Sequence, residues 1–366
     1  MSVLLSHTTA LEALRIWGLP PDRRRAELVT PDIPSELPGS RDLASRREID
    51  PFLCRLSLPL HLLASTGRGR RRSESIHAHL QRSPLPAGSI LRLSEDVLCV
   101  SPEHLCVQMA SRLTQLELIV LLSELLGLYA ICPATEDGML QRDVPIMTPD
   151  SLLEHLRLLG PCHGVGKVRQ ALAMACVRSG SPRETKLSLR LALKPSLGGY
   201  HLNVLSMNEA IEVRRIENRM RRGVRRPDIL IAGPKIPGRP RKVVAVEYNG
   251  RRHDEPARLA QDAVRSNELK VIDIIEFIVR REQYSDLDYM DGLVVLIREK
   301  LGLPRVGVDP AERRWRRCQR LRLYHELELI DGTNWNGLER EKAPATPETP
   351  AEEDDWNVVP VDAYGM

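Results

Sequence analysis

The feature that most constrains this 366-residue chain is an alternation of helix-like and strand-like segments between Ser181 and Leu301. Ser181 and Pro182 suit the cap and first position of a helix, where the missing N–H of proline costs nothing. Two strongly β-like segments, RPDILIAG and KVVAVEYNG, follow an extended stretch at Tyr200–Leu205. A helix at about residues 255–269, the strand DIIEFIV and a closing helix at about residues 287–301 complete the series. This succession predicts an α/β (α+β) fold in which helices flank a mixed β-sheet.

The rest of the chain divides into four regions around this predicted domain, which we assign to residues 179–303. Residues 1–56 predict irregular structure after one short helix, and residues 57–178 predict a small β-rich unit followed by helices. The helical segments in that second region are expected at about 102–131, 149–159 and 166–178. Residues 304–331 predict a basic helical extension, and residues 332–366, rich in Pro, Thr and Glu, predict an acidic disordered tail.

The formal net charge of +4 conceals a strong asymmetry along the chain. Residues 336–366 hold eight acidic and two basic residues, so this end carries −6 and the remainder carries +10. A basic body favours binding to the phosphates of a nucleic acid. Only 4% of the residues are aromatic, which disfavours single-strand binding by base stacking. Charged runs such as RRIENRMRRGVRR are also typical of solvated surfaces, so each run alone leaves both interpretations open.

Seven cysteines without a secretion signal predict reduced thiols and a cytoplasmic protein. The longest apolar stretch, around Leu116–Ile131, is interrupted by Glu117 and Glu124 and is too short for a membrane span. No C-x-x-C motif is present, which disfavours zinc. His77 and His79 have no further metal ligand close to them in sequence, so they predict no metal site.

Each of the two β-like segments contains a carboxylate at a position that suits metal binding. Pro227-Asp228 opens RPDILIAG, and Glu247 lies near the end of KVVAVEYNG. An acid in an otherwise apolar strand is costly without a metal or a partner. Adjacent strands can bring both acids to one edge, where they would bind Mg²⁺ or Mn²⁺. Such an ion activates water for phosphodiester hydrolysis, although a turn residue and an ordinary ion-pair partner are the alternatives.

The segments SPRETKL, RPDILIAG and KVVAVEYNGRRHDEPARLAQDAVRSNELKVIDIIEFIV together resemble the very-short-patch-repair-like endonuclease domains, a branch of the PD-(D/E)XK superfamily. The resemblance covers about a third of the chain and implies a restriction-endonuclease-like fold acting on DNA. It implies that Asp228 and Glu247 bind the metal and that Glu184 faces the site. It also implies His253 as acid/base and the pair Asp262 and Arg265 as supporting residues.

Asn249 is where the chain departs from that family. The superfamily has Lys two residues after the second acid and this branch usually has Asp, whereas Asn249 can only orient a water or donate an oxygen ligand. The resulting prediction is a metal-dependent DNA endonuclease or nicking enzyme. The alternative is a non-enzymatic DNA-binding regulator or antitoxin with a degenerate nuclease-like domain. In both cases the candidate phosphate-binding residues are Arg221, Arg222, Arg225, Arg226, Arg251 and Arg265.

The N-terminal half carries a second resemblance. LLSHTTALEALR and HAHLQRSPLPAGSILRLSEDVLCVSPEHLCVQMA are similar to the transcriptional-regulator architecture of type IV abortive-infection antitoxins. That similarity implies DNA or partner recognition in this half, with a toxin or regulatory protein as partner, and it supplies no catalytic residue. The string LGPCHGVGKV lacks the spacing and the Ser/Thr of a phosphate-binding loop, so nucleotide binding is not expected.

Overall fold

A computed structural model describes residues 2–17, 33–67, 73–214, 222–250, 267–304 and 307–342. Its N-terminal part is built on a five-stranded mixed sheet with the strand order β3-β2-β1-β5-β4. The strands are β1 (Val3–Leu5), β2 (Leu60–Ala64), β3 (Ile76–Leu80), β4 (Ile90–Arg92) and β5 (Val97–Val100). The β-rich unit predicted after residue 57 is therefore present. Its central strand, however, comes from the segment before residue 57 that was predicted to be irregular, because β1 pairs with both β2 and β5.

Helices pack beside this sheet and continue the N-terminal part. They are α1 (His7–Trp17), α2 (Ser40–Ile49), α3 (Pro102–Ala110), α4 (Gln115–Leu125), α5 (Pro149–Leu159) and α6 (Val165–Leu172), with a 3₁₀ turn at Leu53–Arg55. The predicted helical region 102–131 is two helices, because the Thr114 side chain caps α4 in a reciprocal bond with Glu117. The same region ends in a hairpin of β6 (Tyr129–Ile131) and β7 (Met139–Gln141).

The C-terminal part has a four-stranded mixed sheet with the order β13-β12-β11-β8. Its strands are β8 (Val204–Ser206), β11 (Ile229–Ala232), β12 (Val243–Asn249) and β13 (Ile275–Arg280), and β9 (Ile211–Arg214) pairs with β10 (Arg222–Arg225) as a separate hairpin. The helices are α7 (Pro182–Ala192), α8 (Arg281–Ser285), α9 (Leu287–Leu301), α10 (Pro310–Leu329) and α11 (Gly337–Lys342), with a 3₁₀ turn at Pro195–Leu197. The mixed α/β architecture with helix-flanked sheets is as predicted. Ser181 caps α7 through a bond from the Glu184 amide, as the sequence indicates.

The two sheets share one hydrophobic core. Its buried members run from Val3 in β1 to Ile330 after α10, and α7 contacts both α4 and β12. The regions predicted as residues 57–178 and 179–303 are therefore packed against each other. Among the helices in the described ranges, none combines the length and the apolar character that crossing a bilayer requires.

Residues 330–342 form a strap that returns from α10 to the N-terminal helices. The Gly332 carbonyl accepts a bond from the Arg15 guanidinium (2.7 Å), and the Gly337 amide donates to Glu117 Oε1 (2.8 Å). A Cβ at Gly337 would stand 2.6 Å from the Glu117 carboxylate, so only glycine fits there. The prediction of a disordered tail from residue 332 is wrong for residues 332–342, and residues 343–366 lie outside the described chain.

Candidate metal-binding site

The pairing of β11 with β12 places Asp228 directly beside Glu247. The strands are antiparallel with Ile229 opposite Val246, so the next residues outward face each other. Each acid accepts a bond from the backbone of the other strand: the Tyr248 amide donates to Asp228 Oδ2 (2.8 Å), and the Asp228 amide donates to Glu247 Oε1 (3.3 Å). Both side chains are half-buried. The two predicted metal ligands therefore meet at one end of the sheet.

The alternation of side chains assigns these acids to one face of the sheet. Ile229 and Val246 belong to the main core, whereas Leu230 and Ala245 belong to a small cluster on the other face. Since successive residues of a strand point to opposite faces, Asp228 and Glu247 lie on the face of that small cluster. Asn249 follows two residues after Glu247 and shares this face, and it is also half-buried. The two acids therefore lie on the face that carries the small apolar cluster, one position beyond Leu230 and Ala245 on that face of their strands.

The parallel strand β13 adds a third acid to this face that the sequence analysis missed. Glu276 pairs with Ala245, and Ile278 and Arg280 pair with Glu247 and Asn249. Partners in register share a face, so Glu276 and Arg280 lie on the same side as the predicted metal ligands. The signal was present in the sequence, because Glu276 is an acid within the apolar strand DIIEFIV, as Glu247 is within its own strand.

Glu184 lies at the start of α7 and is held by local contacts. Its carboxylate accepts bonds from the Gly180 amide (2.8 Å), the Ser181 hydroxyl (2.9 Å) and the Asn208 side-chain amide (2.8 Å). The Asn208 backbone amide in turn donates to the Pro227 carbonyl (2.9 Å), immediately before Asp228. Glu184 therefore fixes the entry to β11 through Asn208. Its predicted direct part in the site stays a prediction.

The other face of β12 is supported by a buried arginine. Arg190 is 1% exposed, donates to the Tyr284 carbonyl, and lies over the Tyr284 and Tyr324 rings at 4.7 and 5.1 Å from their centroids. Tyr248 follows Glu247 in β12 and donates its backbone amide to Asp228. Its ring contacts the Tyr284 ring in a T-shaped arrangement. Burial raises the pKa of the Tyr248 hydroxyl, which remains neutral. These contacts give the carboxylate-bearing strand a rigid support.

The predicted phosphate-binding arginines have different environments. Arg225 is bound to the buried carboxylate of Glu268 at 2.5 Å, so its charge serves an internal ion pair. Arg222 is exposed and pairs with the exposed Glu212 at 3.3 Å, and Arg226 is exposed as well. Arg222 and Arg226 therefore lie at the surface of the β10 segment. Five predicted site residues lie outside the described chain: Arg221, Arg251, His253, Asp262 and Arg265.

The donor atoms at this end of the sheet suit a hard divalent cation. Carboxylate and amide oxygens are the ligands that Mg²⁺ and Mn²⁺ prefer, and Asp228, Glu247 and Asn249 supply only such oxygens. Comparisons with protein-family models, with curated proteins and with solved structures each returned no match. The assignment of this site therefore depends on its own geometry and chemistry.

Proposed function

We propose that this chain is a metal-dependent DNA endonuclease or nicking enzyme with a restriction-endonuclease-like catalytic domain. The observation that carries the proposal is the cross-strand pair of Asp228 and Glu247, in which each acid accepts the amide of the opposite strand. Those contacts hold both carboxylates side by side at one end of the two inner strands of a mixed sheet. The order of α7, β11, β12 and β13 supports the PD-(D/E)XK resemblance of the sequence.

In this proposal Asp228 and Glu247 would hold Mg²⁺ or Mn²⁺, which stabilises charge on a phosphoryl oxygen and lowers the pKa of a bound water. Asn249 orients a water or the scissile phosphate through its side-chain amide and takes up no proton. The exposed Arg222 and Arg226 bind the DNA backbone and position it along the hairpin. His253 is the acid/base candidate of the resemblance and stays a prediction.

A plasmid-nicking assay tests this function. Supercoiled DNA is incubated with wild-type protein, Asp228→Asn or Glu247→Gln in Mg²⁺ or Mn²⁺. Both substitutions keep the shape of the side chain and remove its charge, so we expect cleavage to fall at least about 100-fold. Glu209→Gln is the matched control, because Glu209 is an exposed acid one residue from Asn208 and outside the pair.

Asn249 supports a second candidate function, a DNA-binding regulator with a degenerate nuclease-like domain. An amide at this position lacks the charge of the superfamily lysine and cannot stabilise a leaving oxyanion in the same way. Salt-dependent DNA binding without cleavage in either metal by the wild-type protein would favour this function over the nuclease. Cleavage that persists unchanged in both acid variants would remove the proposed site.

A further inference from the structure

Three histidines from distant parts of the sequence meet beside the five-stranded sheet. His7 is the first residue of α1, His61 lies in β2 and His79 lies in β3. One ring nitrogen from each lies within 4.8 Å of the others. His61 Nδ1 is 2.9 Å from His79 Nε2, and the His7 ring stacks on the His79 ring at 3.7 Å between centroids. This group is far from the carboxylate site in sequence and uses a different donor type.

The strand pairing explains why two of these rings face each other. β2 and β3 are parallel, with His61 opposite His77 and Leu63 opposite His79. Residues two apart on a strand share a face, so His61 and His79 are diagonal neighbours on one side of the sheet. His77 shares that face and stacks on His61 at 4.8 Å, but it is exposed and does not join the group of three.

The backbone delivers His7 to this group at a conformational cost. Its φ is +49°, a left-handed value that non-glycine residues rarely adopt, and its amide donates to Gln108 Oε1. Strain of this kind persists where the surroundings fix it and is common at functional sites. Ser6, directly before His7, is completely buried and anchors the turn by donating its hydroxyl to the His61 carbonyl.

Ser6 also contacts the His7 ring. Ser6 Oγ lies 3.1 Å from His7 Nδ1, so this ring nitrogen has a fixed hydrogen-bonding partner. Metal-bound histidines commonly have such a partner at the ring nitrogen that does not bind the metal.

Two of the three rings are sheltered from solvent. His7 is 9% exposed and His61 is 8% exposed. A neutral imidazole binds a transition metal through the ring nitrogen that carries no proton.

We propose that His7, His61 and His79 bind a Zn²⁺ ion. Three imidazoles are an established zinc donor set when a water or another ligand occupies the fourth position. At Zn–N distances of about 2.0–2.1 Å, nitrogens around a tetrahedral ion lie about 3.3 Å apart. His61 Nδ1 and His79 Nε2 are 2.9 Å apart and the third nitrogen lies within 4.8 Å of both, so binding requires the stacked His7 and His79 rings to turn until their nitrogens face one ion.

His61 also lines a cleft that connects this region to solvent. The cleft has a volume of about 690 Å³ and lies between α1, the β6–β7 hairpin and the strap residues Thr333 and Trp335. Thr9 lines the same cleft, and its hydroxyl accepts the His61 amide at 2.9 Å. The cleft therefore reaches His61, one of the three proposed ligands.

Metal binding is tested on the untagged full-length chain after removal of metals with EDTA. The protein is dialysed against Zn²⁺ at micromolar concentration, and zinc per chain is measured by elemental analysis. Co²⁺ serves as a spectroscopic probe, since tetrahedral coordination gives absorption bands much stronger than octahedral coordination does. We expect one zinc per chain at this site and tetrahedral Co²⁺ bands.

Variants assign the bound metal to the three histidines. His79→Gln and His61→Gln should lower zinc affinity at least about tenfold. His77→Gln is the matched control, because it removes an imidazole from the same strand outside the group, and its affinity should equal that of the wild type. Asp228→Asn should keep the zinc, so the result is independent of the nuclease proposal. Circular dichroism establishes that each variant is folded.

Two outcomes would overturn the proposal. One is a wild-type protein that takes up no zinc and gives only octahedral Co²⁺ spectra. The other is zinc bound with unchanged affinity by folded His79→Gln. If both glutamine variants are unfolded, the Co²⁺ spectrum of the wild type decides alone, because nitrogen ligands and oxygen ligands give different band energies.

Discussion

Polar side chains have different environments beside the two sheets of this molecule. Beside the five-stranded sheet, buried acids are neutralised by the chain itself: Glu124 is fully buried and accepts the Arg15 guanidinium and the Ile131 amide. Two strands of that sheet carry the imidazoles of His61, His77 and His79. On the four-stranded sheet, Asp228 and Glu247 are half-buried, and each accepts a backbone amide of the opposite strand. Under the two proposals above, the acids of the four-stranded sheet and the imidazoles of the five-stranded sheet would bind different metals.

The largest expected effect is on metal selectivity of DNA cleavage. EDTA should reduce cleavage at least about 1,000-fold, and Mg²⁺ or Mn²⁺ should restore it. Zn²⁺ at the same concentration should not restore it, because zinc prefers tetrahedral nitrogen and sulfur ligands over these oxygens. Initial nicking rates in each metal provide the measurement. Equal rates with Zn²⁺ and Mg²⁺ would break the comparison between the sheets.

The second prediction concerns the buried acid that the chain neutralises. Arg15→Met leaves the Glu124 carboxylate buried without its cation, so we expect the free energy of unfolding to fall by about 3–5 kcal/mol. Arg157→Met is the matched control, because Arg157 and Glu154 form an exposed pair that solvent screens, so its removal should change stability little. Chemical denaturation of both variants gives the two values. Similar losses would show that Glu124 does not need its partner.

The third prediction is an acid sensitivity that originates at the five-stranded sheet. The pKa values of His7, His61 and His104 are lowered by burial, those of the last two to about 3. The unfolded chain then binds more protons than the folded one, so stability is full above about pH 6.5 and falls as the pH decreases towards 3. At pH 5 the loss should be about 2 kcal/mol for a single such histidine.

Denaturation curves at pH 7 and pH 5 without added metal measure this loss. His61→Gln removes one titrating group and should show a smaller difference between the two pH values than the wild type. His77→Gln should leave the difference unchanged, because the His77 side chain is exposed. Stability that is the same at both pH values would contradict the prediction.

The smallest expected effect sharpens the assignment of the four-stranded sheet. Asn249→Lys places a cation on the face of Glu247, two residues along the strand, where it can stabilise a leaving oxyanion. We expect the nicking rate to rise about tenfold. Asn249→Ala should lower the rate, because the amide no longer orients water or phosphate. A nicking rate that is unchanged by both substitutions would show that Asn249 takes no part in the reaction.

Local sequence signals predicted much of this fold. The capping Ser181, the two acid-bearing strands and the helix from residue 287 to 301 all follow from capping chemistry and periodicity within one segment. β1 escaped prediction because a three-residue strand shows no alternation. The α3–α4 break escaped because apolar residues continue across it, although Thr114 and Glu117 carry a capping signature.

The sites were predictable only where ligands lie in neighbouring segments. Asp228 and Glu247 are 19 residues apart on strands that pair directly. Glu276 joins their face through a parallel pairing whose register no local pattern reveals. The group of His7, His61 and His79 depends on two strands and a helix start that are distant in the sequence, so no local pattern joins His79 to its partners. The amino-acid pattern does not determine which residues pair between strands that are distant in the sequence.

The contacts of the strap can form only late in synthesis, because their partners are far apart in the sequence. Arg15 and Gly332 are separated by 317 residues, and Glu117 and Gly337 by 220. At about 5–20 residues per second, a ribosome needs roughly 15–60 s to travel from the first member of the Arg15 pair to the second. During that interval the early helices exist without their last carbonyl and amide partners. A chain released before residue 337 therefore lacks the Gly337 amide that donates to the buried Glu117 carboxylate.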